Sequence, residues 1–171
     1  TALIYWLVIF VLAVAEGEEW LQQGEFLTVL MGYLAKVAPF WLELDGNRAR
    51  LMRGWPGTQI LRMAPLSVSA MAFITLALSA LTFDGLMETF WWHWLVGENP
   101  LEPTGRSAVM GVNTLGLLAV WVITIAGLWV VIRLGQAIGG ARFATGPVML
   151  SFLAIAAGYH AAHYLVMLLT A

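Results

Sequence analysis

Two histidines three residues apart, His160 and His163, sit in AGYHAAHYLVMLLT, a run otherwise composed for lipid. A polar ring left unpaired in hydrocarbon is unfavourable by several kcal/mol, so such residues face a protein interior and are functional candidates. On a helix, positions i and i+3 share a face, the spacing by which one helix offers two ligands to a metal. Asp84 and Glu88 in TFDGLMETF stand four apart and share a face if their helix continues through Gly85. Two histidines with one or two carboxylates could hold zinc, copper, manganese or iron and leave positions open for water or substrate. Water on such a metal can attack an ester. His160, His163, Asp84 and Glu88 are therefore the candidate ligands. Asp84 is also a candidate general base, and Asn113 a group that orients water or substrate. Two other uses remain open. The histidines could simply bond neighbouring helices, with Asp84 capping the helix that follows it. They could also ligate tetrapyrroles, although two histidines on one face cannot take opposite axial positions of one haem.

The elements that must position these residues are membrane helices. The chain is 61% hydrophobic and 11% charged over 171 residues, against roughly 45–50% apolar and about 25% charged in soluble domains. Its mean hydropathy is +0.84. Apolar runs at about 65–83, 107–132 and 147–170 match the roughly 20 residues that a spanning helix needs. A shorter run at about 1–15 reads as a fourth, partial span. The fold expected is an all-α polytopic membrane helix bundle, a single membrane domain over 1–171 with about four transmembrane helices and interfacial amphipathic helices. Residues 22–38 and 86–96 are the interfacial candidates, the first ended by Pro39 and the second carrying the headgroup-seeking tryptophans of FWWHW. At about 1.5 Å rise per residue, Asp84 lies about 28 Å beyond Pro65, and His160 and His163 lie about 21 and 26 Å beyond Gly146. Asn113 lies about 10 Å from Arg106. Four polar side chains from three helices thus share one leaflet.

Charge gives that leaflet a side. Lys36, Arg48, Arg50, Arg53 and Arg62 precede the 65–83 run, and Arg133 and Arg142 follow the 107–132 run. By the positive-inside rule the links 45–63 and 133–142 are cytoplasmic, and 84–106, which holds Asp84, Glu88, Glu98 and Glu102, is extracytoplasmic. The Asp/His group then faces outward. ENPLEPTGR at 98–106 reads as a proline-punctuated turn.

Other features carry less chemistry. GQAIG at 135–139 matches a helix-packing motif but falls in the expected link. Gly111 and Gly116, with Asn113 between them, read as sites of close helix approach. Glu16, Glu18, Glu19 and Glu25 read as a solvated face. The absence of cysteine excludes disulfides, thiolate metal sites and a cysteine nucleophile. No serine stands in a nucleophile elbow, and nothing resembles a phosphate loop or a nucleic-acid surface.

Several stretches together resemble a known family. GEEWLQQGEFLTVLMGYLAKVAPF, LALSALTFDGLMETFWW, GENPLEPTGRSAVMGVNTLGLL and the final AGYHAAHYL are similar, in that order, to multi-spanning bacterial membrane proteins described as fenitrothion hydrolase or as hypothetical membrane proteins. The resemblance covers most of the chain. It implies that Asp84 and Gly85 of TFDG, Asn99 and Pro100 of the turn, Arg106, Asn113, and His160 and His163 of YHAAHY are the family's recurrent polar positions. It also implies a bacterial cytoplasmic membrane location, cleavage of a small ester, and further spans before and a polar tail after the present sequence, which then reads as part of a longer protein. ENPLEPT departs from the family's commoner NPLEFPG form. The leading expectation is a membrane-embedded enzyme or subunit with a metal-binding Asp/His site. The rival is a non-catalytic accessory subunit of a respiratory or photosynthetic complex, its histidines structural or pigment-binding. A transporter ranks third, since no pair of broken helices is evident. The partners expected are the lipid bilayer and either other membrane subunits or the remainder of the same chain.

Overall fold

A computed structural model describes residues 2–97, 106–140 and 142–170. It is mostly helical, and its contacts divide the chain into two compact units, residues 1–63 and 64–171.

The first unit opens with α1 (Ala2–Glu16), α2 (Glu18–Gly24) and α3 (Phe26–Ala35). At 15 residues, α1 is about 22 Å long, short of a hydrocarbon crossing. The interfacial helix expected over 22–38 is two helices broken at Glu25. The break has a physical cause: Glu25 takes an extended backbone, and its carboxylate accepts the N–H groups of Leu27 at 2.9 Å and Thr28 at 2.6 Å, capping α3. The Tyr5 hydroxyl of α1 donates to the same carboxylate. Glu25 is 4% exposed, so the reading of this residue as part of a solvated face is corrected.

The all-α expectation is corrected as well. Residues Phe40–Asp45 and Arg48–Arg53 form an antiparallel hairpin, β1 and β2, in register from Phe40↔Arg53 to Asp45↔Arg48. Gly46, at φ 59°, and Asn47 make its two-residue turn. Glycine at the first turn position suits a tight hairpin whose twist matches that of the strands. The hairpin base is held to the end of α3, where Gly54 donates to the Pro39 carbonyl at 2.9 Å and Gly57 to that of Val37 at 3.0 Å. The Gln59 side-chain amide reaches the carbonyls of Ala35 and Ala38, both at 3.2 Å.

The second unit holds α4 (Val68–Met87), α5 (Phe90–Val96), α6 (Arg106–Gly139) and α7 (Thr145–Thr170). Among the described residues three helices, α4, α6 and α7, are long and apolar enough to cross a membrane, against about four expected. α4 is the central one and packs on both others. Its buried side chains, Ile74, Thr75, Ala77, Ser79, Leu81 and Phe83, surround most of the helix, whereas α6, apart from Gly116, is half-buried or exposed and α7 is buried along one stripe. On α7 that stripe is Met149, Leu153 and Ala156, at helical spacing.

Boundaries moved where local chemistry outweighed hydropathy. Ser67 caps α4, accepting the N–H of Ala70 at 3.2 Å. α4 continues through Gly85 to Met87, so the first residues of the expected 86–96 helix belong to it. Thr89 rather than Asp84 caps α5, accepting from Trp92 N–H at 3.3 Å, and Gly97 ends that helix at φ 74°. α6 overruns its expected end at 132 and carries Arg133 and GQAIG inside the helix. Its 34 residues extend about 51 Å, well beyond a 30 Å hydrocarbon layer. The Arg133 guanidinium lies 5.3 Å from the Trp129 ring, a contact favoured between cation and π face.

Candidate functional site

Two interhelical polar contacts stand near the end of α4, and they differ in kind. The first joins α5 to α6. Trp92, the buried residue of α5, donates its indole N–H to Asn113 Oδ1 of α6 at 3.1 Å and meets the Phe83 ring edge to face at 5.0 Å. Both rings rest on Gly116: a β-carbon there would lie 2.4 Å from Trp92 and 2.6 Å from Phe83. Close approach requires glycine at this point, in agreement with the packing role read for Gly116, whereas the same role read for Gly111 is corrected, since a β-carbon there meets nothing within 4 Å. Asn113, expected to orient water or substrate, has its carbonyl oxygen engaged by Trp92.

The second contact joins α4 to α7. Asp84, in the last turn of α4, places Oδ2 3.2 Å from Nε2 of His163. The two side chains are 44% and 32% exposed, so the pair is reachable rather than sealed. Tyr164 borders both histidines, with ring centroids 5.2 Å from His163 and 6.3 Å from His160.

His160 is used differently although it shares a face with His163. Its Nδ1 lies 2.8 Å from the carbonyl oxygen of Ala156. A carbonyl can only accept, so Nδ1 carries a proton, and in the neutral ring the lone pair is on Nε2. Glu88, the C-cap of α4, is exposed. Of the four candidate ligands, the structure therefore joins Asp84 and His163. Among the described residues no group of three or more histidine, aspartate or glutamate side chains gathers closely enough to hold a metal ion. The expected turn residues Asn99 and Pro100, with Glu98 and Glu102, lie outside the described residues, as does the Arg106 side chain.

Two polar residues escaped the sequence reading. Thr75 bonds Trp121 of α6, whose indole N–H reaches Thr75 Oγ1 at 3.1 Å and the Ala72 carbonyl at 3.2 Å. Ser79 is 1% exposed, and its hydroxyl has no partner among the described residues. Both stand on the buried face of α4, four residues apart, and that spacing was their only signal in the sequence.

No protein-family model, curated protein or solved structure matches the chain.

Proposed function

We propose that the chain is a multi-pass protein of the bacterial cytoplasmic membrane whose Asp84–His163 pair faces the extracytoplasmic side and hydrolyses a small ester. The observation that carries this reading is the 3.2 Å contact between an aspartate and a histidine from different, otherwise apolar helices, at a place where both stay accessible. An ionisable pair retained in such surroundings is a functional candidate by default. In this reading Asp84 favours a proton on Nε2 of His163 and holds the ring in place. Nδ1 is then the base. It takes a proton from water as the oxygen attacks the ester, and returns it to the departing alcohol or phenol. The ester class comes from the family resemblance; the side of the membrane comes from the basic residues around 45–63 and 133–142.

A metal at the pair, whether zinc, copper, manganese or iron, needs ligands beyond these two, since catalytic sites typically use three from protein. His160 Nε2 is the donor nearest in sequence. Elemental analysis of the purified chain tests this directly: stoichiometric metal that disappears on His163→Gln would put a metal at the pair.

The catalytic reading is tested on the full chain in lipid nanodiscs, with p-nitrophenyl acetate and a dialkyl p-nitrophenyl phosphate. His163→Gln is expected to lower turnover by about 10²–10⁴-fold, the usual contribution of a positioned base, with Asp84→Asn intermediate. Turnover by the native chain no higher than that of a variant carrying both Asp84→Asn and His163→Gln would overturn it.

A second reading is favoured by one observation. Leu115, Ile123, Val131 and Ile138 leave α6 exposed along its length, as they would be in an accessory subunit that packs on other membrane subunits or on further parts of its own chain. Asp84–His163 would then tie α4 to α7. Co-purification of partner subunits from native membranes, with no esterase activity, would decide for it.

A further inference from the structure

The hairpin divides its residues sharply between its two faces. Pairing puts Phe40, Leu42, Leu44, Ala49, Leu51 and Arg53 on one side, and Trp41, Glu43, Asp45, Arg48, Arg50 and Met52 on the other. The second face is internally engaged except at Arg48. Arg50 pairs with Asp45 at 3.5 Å, Arg62 pairs with Glu43 at 3.3 Å and lies 5.8 Å from the Trp41 ring, and the Trp41 indole donates to Glu43 at 2.9 Å. The first face is bare: Phe40, Leu42, Leu44 and Leu51 are 56%, 66%, 81% and 71% exposed. Trp55, just past the hairpin, is exposed as well.

An exposed apolar face does not by itself name its occupant. Charge does. Residues 36–63 carry Lys36, Arg48, Arg50, Arg53 and Arg62 against only Glu43 and Asp45. Both carboxylates are engaged by Arg50 and Arg62, which leaves Arg48 and Arg53, at the two ends of β2, without an ion pair among the described residues. Arg53 stands on the bare face opposite Phe40, and Arg48 stands on the other face, at the turn. Aliphatic side chains with one unneutralised arginine beside them and one above match the boundary of an anionic bilayer, where acyl chains begin just beneath phosphates.

We propose that the apolar face of the β1–β2 hairpin docks into the headgroup boundary of an anionic membrane, with Phe40, Leu42, Leu44 and Leu51 entering the acyl region and Arg48 and Arg53 meeting lipid phosphates. This rests on the membrane reading above for the origin of the bilayer, but not on the ester reaction. It assigns the hairpin an interfacial task in place of the amphipathic helix expected from the sequence.

The chain has no cysteine, so single replacements accept one spin label each. The full chain is reconstituted in nanodiscs of phosphatidylcholine alone, or of phosphatidylcholine and phosphatidylglycerol in equal parts. Labels at Leu44→Cys, Leu51→Cys, Asp45→Cys and Ile123→Cys are read for collision with oxygen, which enters lipid, and with a water-soluble nickel chelate, which does not. The expected result is oxygen-dominated collision at 44 and 51 in the anionic discs, chelate-dominated collision at 45, and a weaker contrast in phosphatidylcholine. Replacing Arg48 and Arg53 together with glutamine should lower the docked-to-free ratio in anionic discs by about 25-fold, near fivefold per arginine. Chelate-dominated collision at 44 and 51 in both lipids, with oxygen-dominated collision at Ile123, would overturn the hairpin proposal and leave the membrane reading standing. Shielding of 44 and 51 from both reagents would overturn it in favour of a protein partner or a second copy. A chelate-accessible Ile123 would overturn the membrane reading, and the hairpin proposal that rests on it would fall with it.

Discussion

Each unit of the chain keeps one carboxylate among apolar helices, and the two are treated in opposite ways. Glu25 is closed. Its oxygens accept two backbone N–H groups and the Tyr5 hydroxyl, and it is buried. Burial alone would raise its pKa, but the hydrogen bonds from Thr28, Tyr5 and Leu27 outweigh burial and bring it to about 2. Asp84 is open. It meets one histidine from another helix and remains 44% exposed. A carboxylate whose acceptor capacity is filled by its own fold serves that fold. One that meets a single proton-exchanging partner and still faces space has capacity left for a substrate, a metal or a further subunit.

The contrast breaks most easily at Glu25. Glu25→Ala removes the cap of α3 and strands a tyrosine hydroxyl and two backbone donors, and should destabilise the first unit by about 2–4 kcal/mol. Thermal unfolding followed by circular dichroism in detergent measures this, and a shift no larger than that of Asp84→Asn would dissolve the distinction. Acid gives the same test without a mutation. A group whose folded pKa lies below its ordinary 4.5 stabilises the fold above that value, and the contribution fades as pH falls from about 4.5 towards about 2. Glu25→Gln should flatten the stability curve across that window; if the native and variant curves ran parallel, the buried ionised form of Glu25 would be wrong.

Gly116 comes next. A methyl group there meets two aromatic rings at under 3 Å, and relief requires Phe83 or Trp92 to move. Gly116→Ala should cost about 1–3 kcal/mol, the usual range for overpacking, and weaken the Trp92–Asn113 bond. Indole ¹⁵N–¹H spectra would register that loss as a shift of the Trp92 signal. Gly111→Ala is the control, since open space surrounds a β-carbon at that position.

Much of the second unit could be read directly, because its apolar runs have the length and composition that a spanning helix needs and their ends carry charge. Grouping Asp84 with His163 needed only the rise per residue. Separating His160 from the pair did not follow from spacing, because i and i+3 share a face whether a ring points to its own carbonyl or to a neighbouring helix. The first unit was harder. The alternation in FWLELD and RARLMR around Gly46–Asn47 was a hairpin signal, but it followed a helical apolar stretch whose period masked it. Glu25 was misread because the partner that buries it, Tyr5, lies 20 residues away. Its neighbours Glu18 and Glu19 are exposed, as expected of a solvated face. Composition cannot tell these glutamates apart; packing does.

The smallest effect is expected at Asp84 itself, and it sharpens the comparison most. Ion pairs this exposed contribute about 0–1 kcal/mol, so Asp84→Asn should leave the unfolding midpoint nearly unchanged while the amide still fills the side-chain volume. Ser79→Ala, which deletes a buried hydroxyl with no partner among the described residues, should be neutral or slightly stabilising by the same measure, since an unsatisfied polar group is lost. If Asp84→Asn instead destabilised the chain as much as Glu25→Ala, the Asp84–His163 contact would be a structural tie between α4 and α7, and the accessory-subunit reading would take precedence. A variant that keeps its stability but changes the ring tautomer of His163, read from the ¹⁵N shifts of its two nitrogens, would locate the role of Asp84 in holding that proton rather than in holding the helices.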